Sequence, residues 1–288
     1  MDAGAPDPRV NAYRSDLAAE SLRGKVDVPN YAKGETRQII AADAPLRKAP
    51  RFDAALETQL LHGECVTVYD ENEGWAWAQA MNDSYVGYIP SDTLGRDVTD
   101  HTHRVKALCT HIYPAPDIKV PPLMSLSMNA LVCVSEELGR FVRLDNDRFA
   151  IASHLTPMSD FAEDFVSVAK EFLGLPYLWG GRTCNGLDCS ALIQLSLNAS
   201  GIAAPRDTDM LESTLGAALS DPSDQSVLQR GDLIFWKGHM GVMLDETRLL
   251  HANAHHMRTA IEPVADAVSR IAASEGIVTS VHRGADVQ

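Results

Sequence analysis

A glycine-rich turn that leads into a helical pattern is the feature that most constrains this chain. The turn is Trp179-Gly180-Gly181-Arg182, and it is followed by Leu187-Asp188-Cys189-Ser190-Ala191-Leu192-Ile193-Gln194. Because the apolar helical pattern opens directly after Asp188, Cys189 is predicted to lie in the first turn of a helix. Unpaired N–H groups and the positive end of the helix dipole favour a thiolate over a thiol at that position. Cys189 is therefore a candidate nucleophile.

Short strand-like runs separated by turns precede this junction, which is typical of small β-barrels. In residues 31–97 these runs are Arg37–Ile40, Cys65–Tyr69, Trp75–Gln79 and Tyr85–Pro90. Residues 98–157 contain a weaker copy, with runs at Val105–Leu108, Leu131–Val134, Arg140–Leu144 and Phe149–Ala152. The two stretches end similarly, in Gly-Tyr-Ile-Pro-Ser and Ala-Ile-Ala-Ser-His, so we interpret them as a divergent duplication of one barrel.

The pattern changes after residue 157, where helices come first and strands follow. A helix capped by Ser159 or Asp160 is predicted up to Leu173, and a second helix from Asp188 to about Gly201. Strands are then predicted at 232–236, 241–244, 248–251 and 277–282, which indicates an α+β domain. The predicted domains are an N-terminal arm at 1–30 with a weak helix over 16–23, a first barrel at 31–97, a second barrel at 98–157 and an α+β domain at 158–288.

Two histidines in the predicted strands are placed to assist the thiol. If Asp245-Glu246-Thr247 is a three-residue hairpin loop, His239 and His251 become diagonal neighbours on one face, about 7–8 Å apart at their backbones. One imidazole would take the thiol proton, and the other would hold the first ring in the right tautomer. A loop with an even number of residues would place the two rings on opposite faces.

The bulk composition narrows the function classes. A net charge of −14 disfavours nucleic acid and lasting adhesion to a polyanionic wall or membrane, and it fits a small soluble substrate better. We expect no membrane span and no export signal in the first thirty residues. The five cysteines are scattered and odd in number, which favours a reducing compartment over a disulfide framework.

Other interpretations of the same residues remain open. His251 with His255 and His256 could form a zinc site together with His239, because His-x3-His is a ligand spacing. Cys184 and Cys189 could be a redox pair, although their spacing is not Cys-x-x-Cys. A lone cysteine at a helix start is more often a buried thiol than a nucleophile.

The motifs of residues 160–285 resemble those of the NlpC/P60 family of cell-wall cysteine peptidases, in the family's order and at its separations. The motifs are Pro176-Tyr177-Leu178-Trp179-Gly180-Gly181, Leu187-Asp188-Cys189-Ser190, Gly231-Asp232-Leu233-Ile234-Phe235-Trp236, Gly238-His239-Met240-Gly241-Val242 and Leu250-His251-Ala252. The two upstream barrels resemble bacterial SH3 domains, although the second lacks a Trp. The whole layout resembles γ-D-glutamyl-L-diamino acid endopeptidases, which cleave muropeptides that carry a free N-terminal L-Ala.

The resemblance implies a papain-like α+β catalytic fold and a set of roles. Cys189 would be the nucleophile, His239 the base and His251 the orienting residue, and Tyr177 would hold the oxyanion with the Cys189 backbone N–H. The implied substrate-binding residues are Asp188, Glu64, Tyr85, Ser190, Arg206 and Trp179. Among these, Asp188, Glu64 and Tyr85 would bind the free amine, and the first barrel would form a wall of the active site. Thr208 stands where related enzymes often have Ser.

The sequence thus predicts a cysteine endopeptidase that hydrolyses the γ-D-Glu to L-diamino acid bond in the cytoplasmic recycling of wall peptides. No cofactor and no metal are expected, and the expected partner is a small muropeptide. A broader peptidoglycan endopeptidase or amidase, and a non-catalytic wall-binding SH3 protein, are the alternatives. The choice between diaminopimelate and Lys, and the oligomeric state, are not readable from the sequence.

Overall fold

The computed structural model describes residues 4–287 and divides after Met158 into two compact units. Residues 1–3 of the predicted arm and residue 288 of the predicted last domain lie outside the described residues. Within the described part of the chain, no helix has the length and apolar content that crossing a bilayer requires. All five cysteines are free thiols.

The N-terminal segment is packed and contains strands where a helix was predicted. β1 (Leu17–Ala19) runs parallel to β2 (Asn30–Ala32), and Glu20–Leu22 form a single 3₁₀ turn. Ala18, Ala19 and Leu22 are buried in a cluster that includes Trp77 of the following barrel. The predicted helix over 16–23 is therefore wrong: a segment this short is a marginal helix by itself, and packing decides its conformation.

A seven-stranded antiparallel sheet follows, with the strand order β5-β4-β8-β7-β6-β3-β9. Its strands are β3 (Glu35–Ile39), β4 (Asp43–Arg47), β5 (Leu56–Leu61), β6 (Cys65–Asn72), β7 (Trp75–Ala80), β8 (Val86–Pro90) and β9 (Leu94–Gly95). Asn72 pairs with Trp75, so the hairpin loop is Glu73-Gly74, and both residues have positive φ (49° and 81°). A glycine at the second position suits this tight turn.

Residues 103–157 contain strands but no single continuous sheet among the described residues. The strands are β10 (His103–Val105), β11 (Cys109–Ile112), β12 (Met124–Ser127), β13 (Leu131–Val132), β14 (Val134–Leu138), β15 (Phe141–Leu144), β16 (Phe149–Ile151) and β17 (Leu155–Pro157). They pair as three small sheets, β13-β10-β17, β11-β12 and β14-β15-β16. A second SH3-like barrel in this region therefore stays a prediction.

In its described residues, 159–287, the second unit combines four α-helices with a six-stranded antiparallel sheet, an α+β architecture. The helices are α1 (Phe165–Glu171), α2 (Cys189–Ala199), α3 (Thr208–Thr214) and α4 (Val264–Ser274). The sheet has the order β20-β25-β21-β22-β23-β24, and β18 and β19 form a separate hairpin. The strands are β18 (Arg182–Thr183), β19 (Gly186–Leu187), β20 (Leu215–Ala218), β21 (Leu233–Trp236), β22 (His239–Met243), β23 (Arg248–Asn253), β24 (Arg258–Pro263) and β25 (Ser280–Val287).

Several features of this unit differ from the sequence predictions, among them the cap of the first helix and two elements near the C-terminus. Helix α1 is capped by Asp164, whose Oδ1 accepts from the Val166 N–H at 3.0 Å, so the predicted cap at Ser159 or Asp160 is wrong. An aspartate directly before the helix satisfies an N–H group that the earlier residues do not reach. Helix α4 and strand β24 were not predicted, although Val264, Ala267 and Ile271 bury one face of α4 at helical spacing.

Candidate active site

Helix α2 carries Cys189 at its first position, as the sequence predicted. Asp188 is the N-cap, and its Oδ1 accepts from the Ala191 N–H at 2.9 Å. This bond satisfies one of the orphan N–H groups at the helix start and fixes where the helix begins. The Cys189 side chain is therefore held at a rigid point of the fold, and it is buried.

Asp188 is also one half of a buried ion pair with Arg206. Arg206 donates to Asp188 Oδ1 at 3.0 Å and to Oδ2 at 2.6 Å, and the Gly180 N–H donates to Oδ2 at 2.9 Å. Ser190 Oγ donates to Asp188 Oδ1 and accepts from Arg206. The Arg206 side chain is only 1% exposed. Arg206 and Ser190 thus hold Asp188 in place, and their direct contact with substrate stays a prediction.

The surroundings of the Cys189 sulfur favour the neutral thiol. Burial and then the Asp188 carboxylate raise the pKa of Cys189 to about 11, against smaller lowering contributions from Thr208, the Met240 backbone and Arg206. Thr208 Oγ1 lies 3.8 Å from the sulfur. The expected thiolate is therefore not favoured here, because burial and a neighbouring carboxylate outweigh the helix dipole. A base must take the proton as the sulfur reacts.

The two histidines meet on adjacent strands in the register that the three-residue loop predicts. Val242 pairs with Leu250 and Met243 with Leu249, and the Leu244 N–H donates to the Arg248 carbonyl at 2.8 Å. His239 Nε2 lies 2.9 Å from His251 Nδ1. The rings are thus joined by one hydrogen bond on one face of the sheet.

Both imidazoles are held neutral. Burial, and after it the Arg270 cation, lower the pKa of His239 to about 4. Burial is also the main cause that lowers the pKa of His251, which is fully buried. A neutral imidazole has a free lone pair, which is the state that a general base needs.

Glu262, which the sequence interpretation missed, extends this chain of hydrogen bonds. It is the last residue but one of strand β24, and its Oε1 lies 2.7 Å from His251 Nε2. Arg270 from helix α4 donates to the same oxygen at 2.5 Å. Glu262 pairs with Leu249, two residues from His251, so it is a diagonal neighbour of the histidine. Only a prediction of β24 and its register would have found this residue.

Tyr177 and Trp179 lie on the turn that precedes Cys189. The Tyr177 N–H donates to the Met257 carbonyl at 3.0 Å, and Tyr177 forms a bridge with Leu187. Burial raises the pKa of Tyr177, and the nearby Cys189 and Asp188 raise it further. Trp179 is 67% exposed and free to line a substrate surface. The oxyanion role of Tyr177 and the substrate role of Trp179 stay predictions.

Glu64 and Tyr85 belong to the first unit. Glu64 Oε2 accepts from the Leu61 N–H at 2.8 Å, and its Oε1 accepts from the Asn82 amide at 2.9 Å. Tyr85 is 3% exposed within the barrel core, and its hydroxyl lies 3.5 Å from Glu57 Oε2. Both residues have structural partners in the barrel, and their binding of a substrate amine stays a prediction.

One group of side chains has the spacing of metal ligands, and it differs from the zinc alternative drawn from the sequence. His251, His256 and Glu262 each offer a ligand atom within 4.8 Å of the others. The Arg270 guanidinium lies on the same Glu262 oxygen, and a second cation there would be repelled. These residues are therefore better suited to a hydrogen-bonded relay than to a metal.

Comparison with known proteins identifies two domains. Residues 174–272 match the NlpC/P60 family, and residues 46–94 match the bacterial dipeptidyl-peptidase SH3 domain. The first match contains Cys189, His239, His251 and Glu262.

Similar curated proteins cover most of the chain. A gamma-D-glutamyl-L-lysine dipeptidyl-peptidase of Bacillus subtilis (strain 168) is 28% identical over 222 residues, which is 69% of this chain and 73% of that protein. Dipeptidyl-peptidase 6 of Lysinibacillus sphaericus is 25% identical over 240 residues, covering 75% of this chain and 86% of that protein. The crystal structure of an NlpC/P60 family protein from Bacillus cereus ATCC 10987 covers 87% of this chain and all of its own, with a TM-score of 0.73 at 22% identity. That structure supports the fold.

Proposed function

We propose that this chain, which carries an NlpC/P60 peptidase domain and a bacterial SH3 domain, cleaves the γ-D-Glu to L-diamino acid bond of short wall peptides with a free N-terminal L-Ala. The observation that carries the chemistry is a buried thiol at a helix start, in the same domain as two hydrogen-bonded neutral histidines. The peptide substrate is supported by the gamma-D-glutamyl-L-lysine dipeptidyl-peptidases to which the chain is similar.

The protonation states favour a general-base route to the acyl-enzyme. Because the pKa of Cys189 is raised and that of His239 is lowered, both groups start neutral. His239 takes the thiol proton as the sulfur attacks the γ-carbonyl carbon, and the carbonyl oxygen becomes an oxyanion. Collapse expels the amine of the diamino acid, which receives the proton from His239, and leaves a thioester on Cys189. A water molecule, deprotonated by His239, then releases the γ-D-Glu acid and regenerates the thiol.

We also propose, from the family resemblance, that the site recognises the free amine of the peptide. Asp188, Glu64 and Tyr85 would bind the ammonium of L-Ala. An N-acetylated peptide would then bind less well, because it brings no positive charge to pair with these carboxylates. Five free cysteines are compatible with the proposed recycling of wall peptides in a reducing compartment.

The test compares L-Ala-γ-D-Glu-diaminopimelate with its N-acetylated form as substrates. We expect cleavage of the first and at least a tenfold lower kcat/KM for the second, about the effect of one unpaired buried charge or more. Equal cleavage of the two peptides would contradict amine recognition.

Two cysteine variants test the nucleophile in the same assay. Cys189→Ala should abolish turnover, whereas Cys184→Ala, five residues upstream on the β18–β19 hairpin, should keep it. Activity retained by Cys189→Ala would contradict the thiol mechanism.

A further inference from the structure

The hydrogen bonds that join His239 to His251 continue to Glu262, whose Oε1 accepts from His251 Nε2. We propose that Glu262 is a positioning residue that fixes the proton on both histidines, so that His239 turns an unprotonated Nδ1 to the thiol. The inference rests on the proposed thiol chemistry, and it adds a residue that does not touch the substrate.

The tautomers follow from the order of donors and acceptors along the chain. A carboxylate only accepts, so His251 must donate from Nε2 to Glu262 Oε1, 2.7 Å away. His251 is neutral, so its Nδ1 carries a lone pair. That lone pair accepts from His239 Nε2, 2.9 Å away, and the proton of His239 is therefore on Nε2. His239 Nδ1 remains as the base.

The opposite arrangement would disable the base. If His251 carried its proton on Nδ1, it would donate to His239 Nε2, and the proton of a neutral His239 would occupy Nδ1. That nitrogen would then have no lone pair for the thiol proton. The relay therefore has two proton arrangements of opposite activity, and the acceptor at the Glu262 end selects the active one.

Arg270 keeps the acceptor in place. Its guanidinium donates to the same Oε1 at 2.5 Å, and it comes from helix α4, whose buried residues Val264, Ala267 and Ile271 anchor it to the domain. The cation also balances the carboxylate charge, so Glu262 orients the proton of His251 without removing it. His256 Nδ1 is farther from this oxygen, at 4.0 Å, which is too long for a hydrogen bond. His256 therefore does not belong to the hydrogen-bonded relay.

The direct test reads the ring protons by ¹⁵N–¹H correlation NMR of the full chain with ¹⁵N-labelled histidine. Signals of His239 and His251 are assigned by their loss in His239→Gln and His251→Gln. We expect Nε2–H tautomers for both rings at pH 7. An Nδ1–H tautomer at His251 in the unmodified protein would overturn the proposal.

Two substitutions separate positioning from simple structural support. In Glu262→Gln the amide oxygen, held by Arg270, still accepts from His251, so we expect the tautomers to be kept and kcat to fall by roughly fivefold. In Glu262→Leu no acceptor remains, and we expect mixed tautomers and a fall in kcat of roughly a hundredfold. Equal activity of the two variants, with unchanged tautomers in Glu262→Leu, would overturn the proposal.

The pH dependence of kcat/KM adds a measurement that should not change if Glu262 has only a structural role. Loss of the Glu262 charge makes the His239 imidazolium less stable, so the acid limb of kcat/KM should shift to lower pH in Glu262→Gln. An unshifted limb would contradict the role. Glu246→Gln, an exposed charge change in the β22–β23 loop, is the matched control and should leave both profile and tautomers unchanged. The NMR readout needs no substrate, so it fails or succeeds separately from the proposed peptide specificity.

Discussion

Two carboxylate–arginine pairs flank the thiol and the two histidines of the second unit, and they differ in burial and in hydrogen bonding. Asp188–Arg206 lies at the start of the helix that carries Cys189, with Arg206 1% exposed and both Asp188 oxygens bonded to the guanidinium. Glu262–Arg270 lies at the far end of the histidine chain, with Arg270 28% exposed and one Glu262 oxygen shared with His251. The first pair fixes the backbone that carries the sulfur, and the second has the proposed task of directing protons.

The difference shows how one kind of ion pair can serve stability or chemistry. A fully buried pair contributes through the large cost of breaking it, because one charge is then left uncompensated. A partly exposed pair contributes little stability but keeps its carboxylate available as an acceptor. Breaking the first pair should therefore mainly lower the free energy of unfolding, and breaking the second should mainly lower the rate of catalysis.

The largest expected difference is in stability. Arg206→Met should lower the free energy of unfolding of the second unit by about 3–5 kcal/mol, because Asp188 stays buried without its partner. Arg270→Met should lower it by only about 1 kcal/mol. Urea unfolding followed by Trp fluorescence measures both changes. Equal losses in the two variants would remove the distinction between the pairs.

A smaller effect concerns acid stability, which comes from the base end of the site. The folded pKa of His239 is lowered to about 4 from an unfolded value near 6.5, so the unfolded chain binds more protons between these values. The contribution of neutral His239 to the free energy of unfolding is therefore fully present above about pH 6.5. It should fall by about 1–2 kcal/mol at pH 5.

Unfolding free energies at pH 7 and pH 5 check this loss. His239→Gln should show a smaller drop between the two pH values than the unmodified protein. His255→Gln, which changes an exposed histidine, should show the full drop. An identical pH dependence in His239→Gln would mean that His239 is not buried in neutral form.

The next effect is on the thiol. Because the Asp188 carboxylate raises the pKa of Cys189, Asp188→Asn should lower that pKa. Asn is also a good N-cap, so the helix start is kept. The pH dependence of Cys189 alkylation by iodoacetamide reports the shift.

Asp164→Asn changes the N-cap aspartate at the start of α1, whose side chain also accepts from a backbone N–H, and is the matched control. It should leave the alkylation profile of Cys189 unchanged. A Cys189 profile that moves equally in both variants would point to a general loosening of the domain.

The smallest expected effect is that of metal removal. Dialysis against EDTA should change kcat by less than about twofold, because Arg270 already occupies the carboxylate that a metal would need. A large loss that zinc restores would favour the histidine metal site instead.

The sequence predicted the parts of the site that rest on local pattern. The cap at Asp188, the position of Cys189 and the three-residue loop that brings His239 to His251 all follow from residues close together in the chain. The thiolate was predicted wrongly, because the burial that raises the pKa of Cys189 depends on packing that the sequence does not display.

The parts that were missed depend on long-range pairing. Glu262 reaches His251 only through the register of β24, a strand without clear alternation that ends in Pro263. Arg206 was expected at the substrate, and its contact with Asp188 joins residues 18 positions apart. Likewise β4, which contains Pro45, and β5 did not show strand patterns strong enough to predict.

The most direct test of the account is to trap the acyl-enzyme. The protein is mixed with L-Ala-γ-D-Glu-diaminopimelate, quenched with acid within milliseconds and digested for mass spectrometry. We expect the mass of L-Ala-γ-D-Glu, less one water, as a thioester on the peptide that contains Cys189, and its loss on treatment with hydroxylamine. An acyl group found on another residue would contradict the account. So would the absence of any acyl-enzyme together with continued turnover by Cys189→Ala.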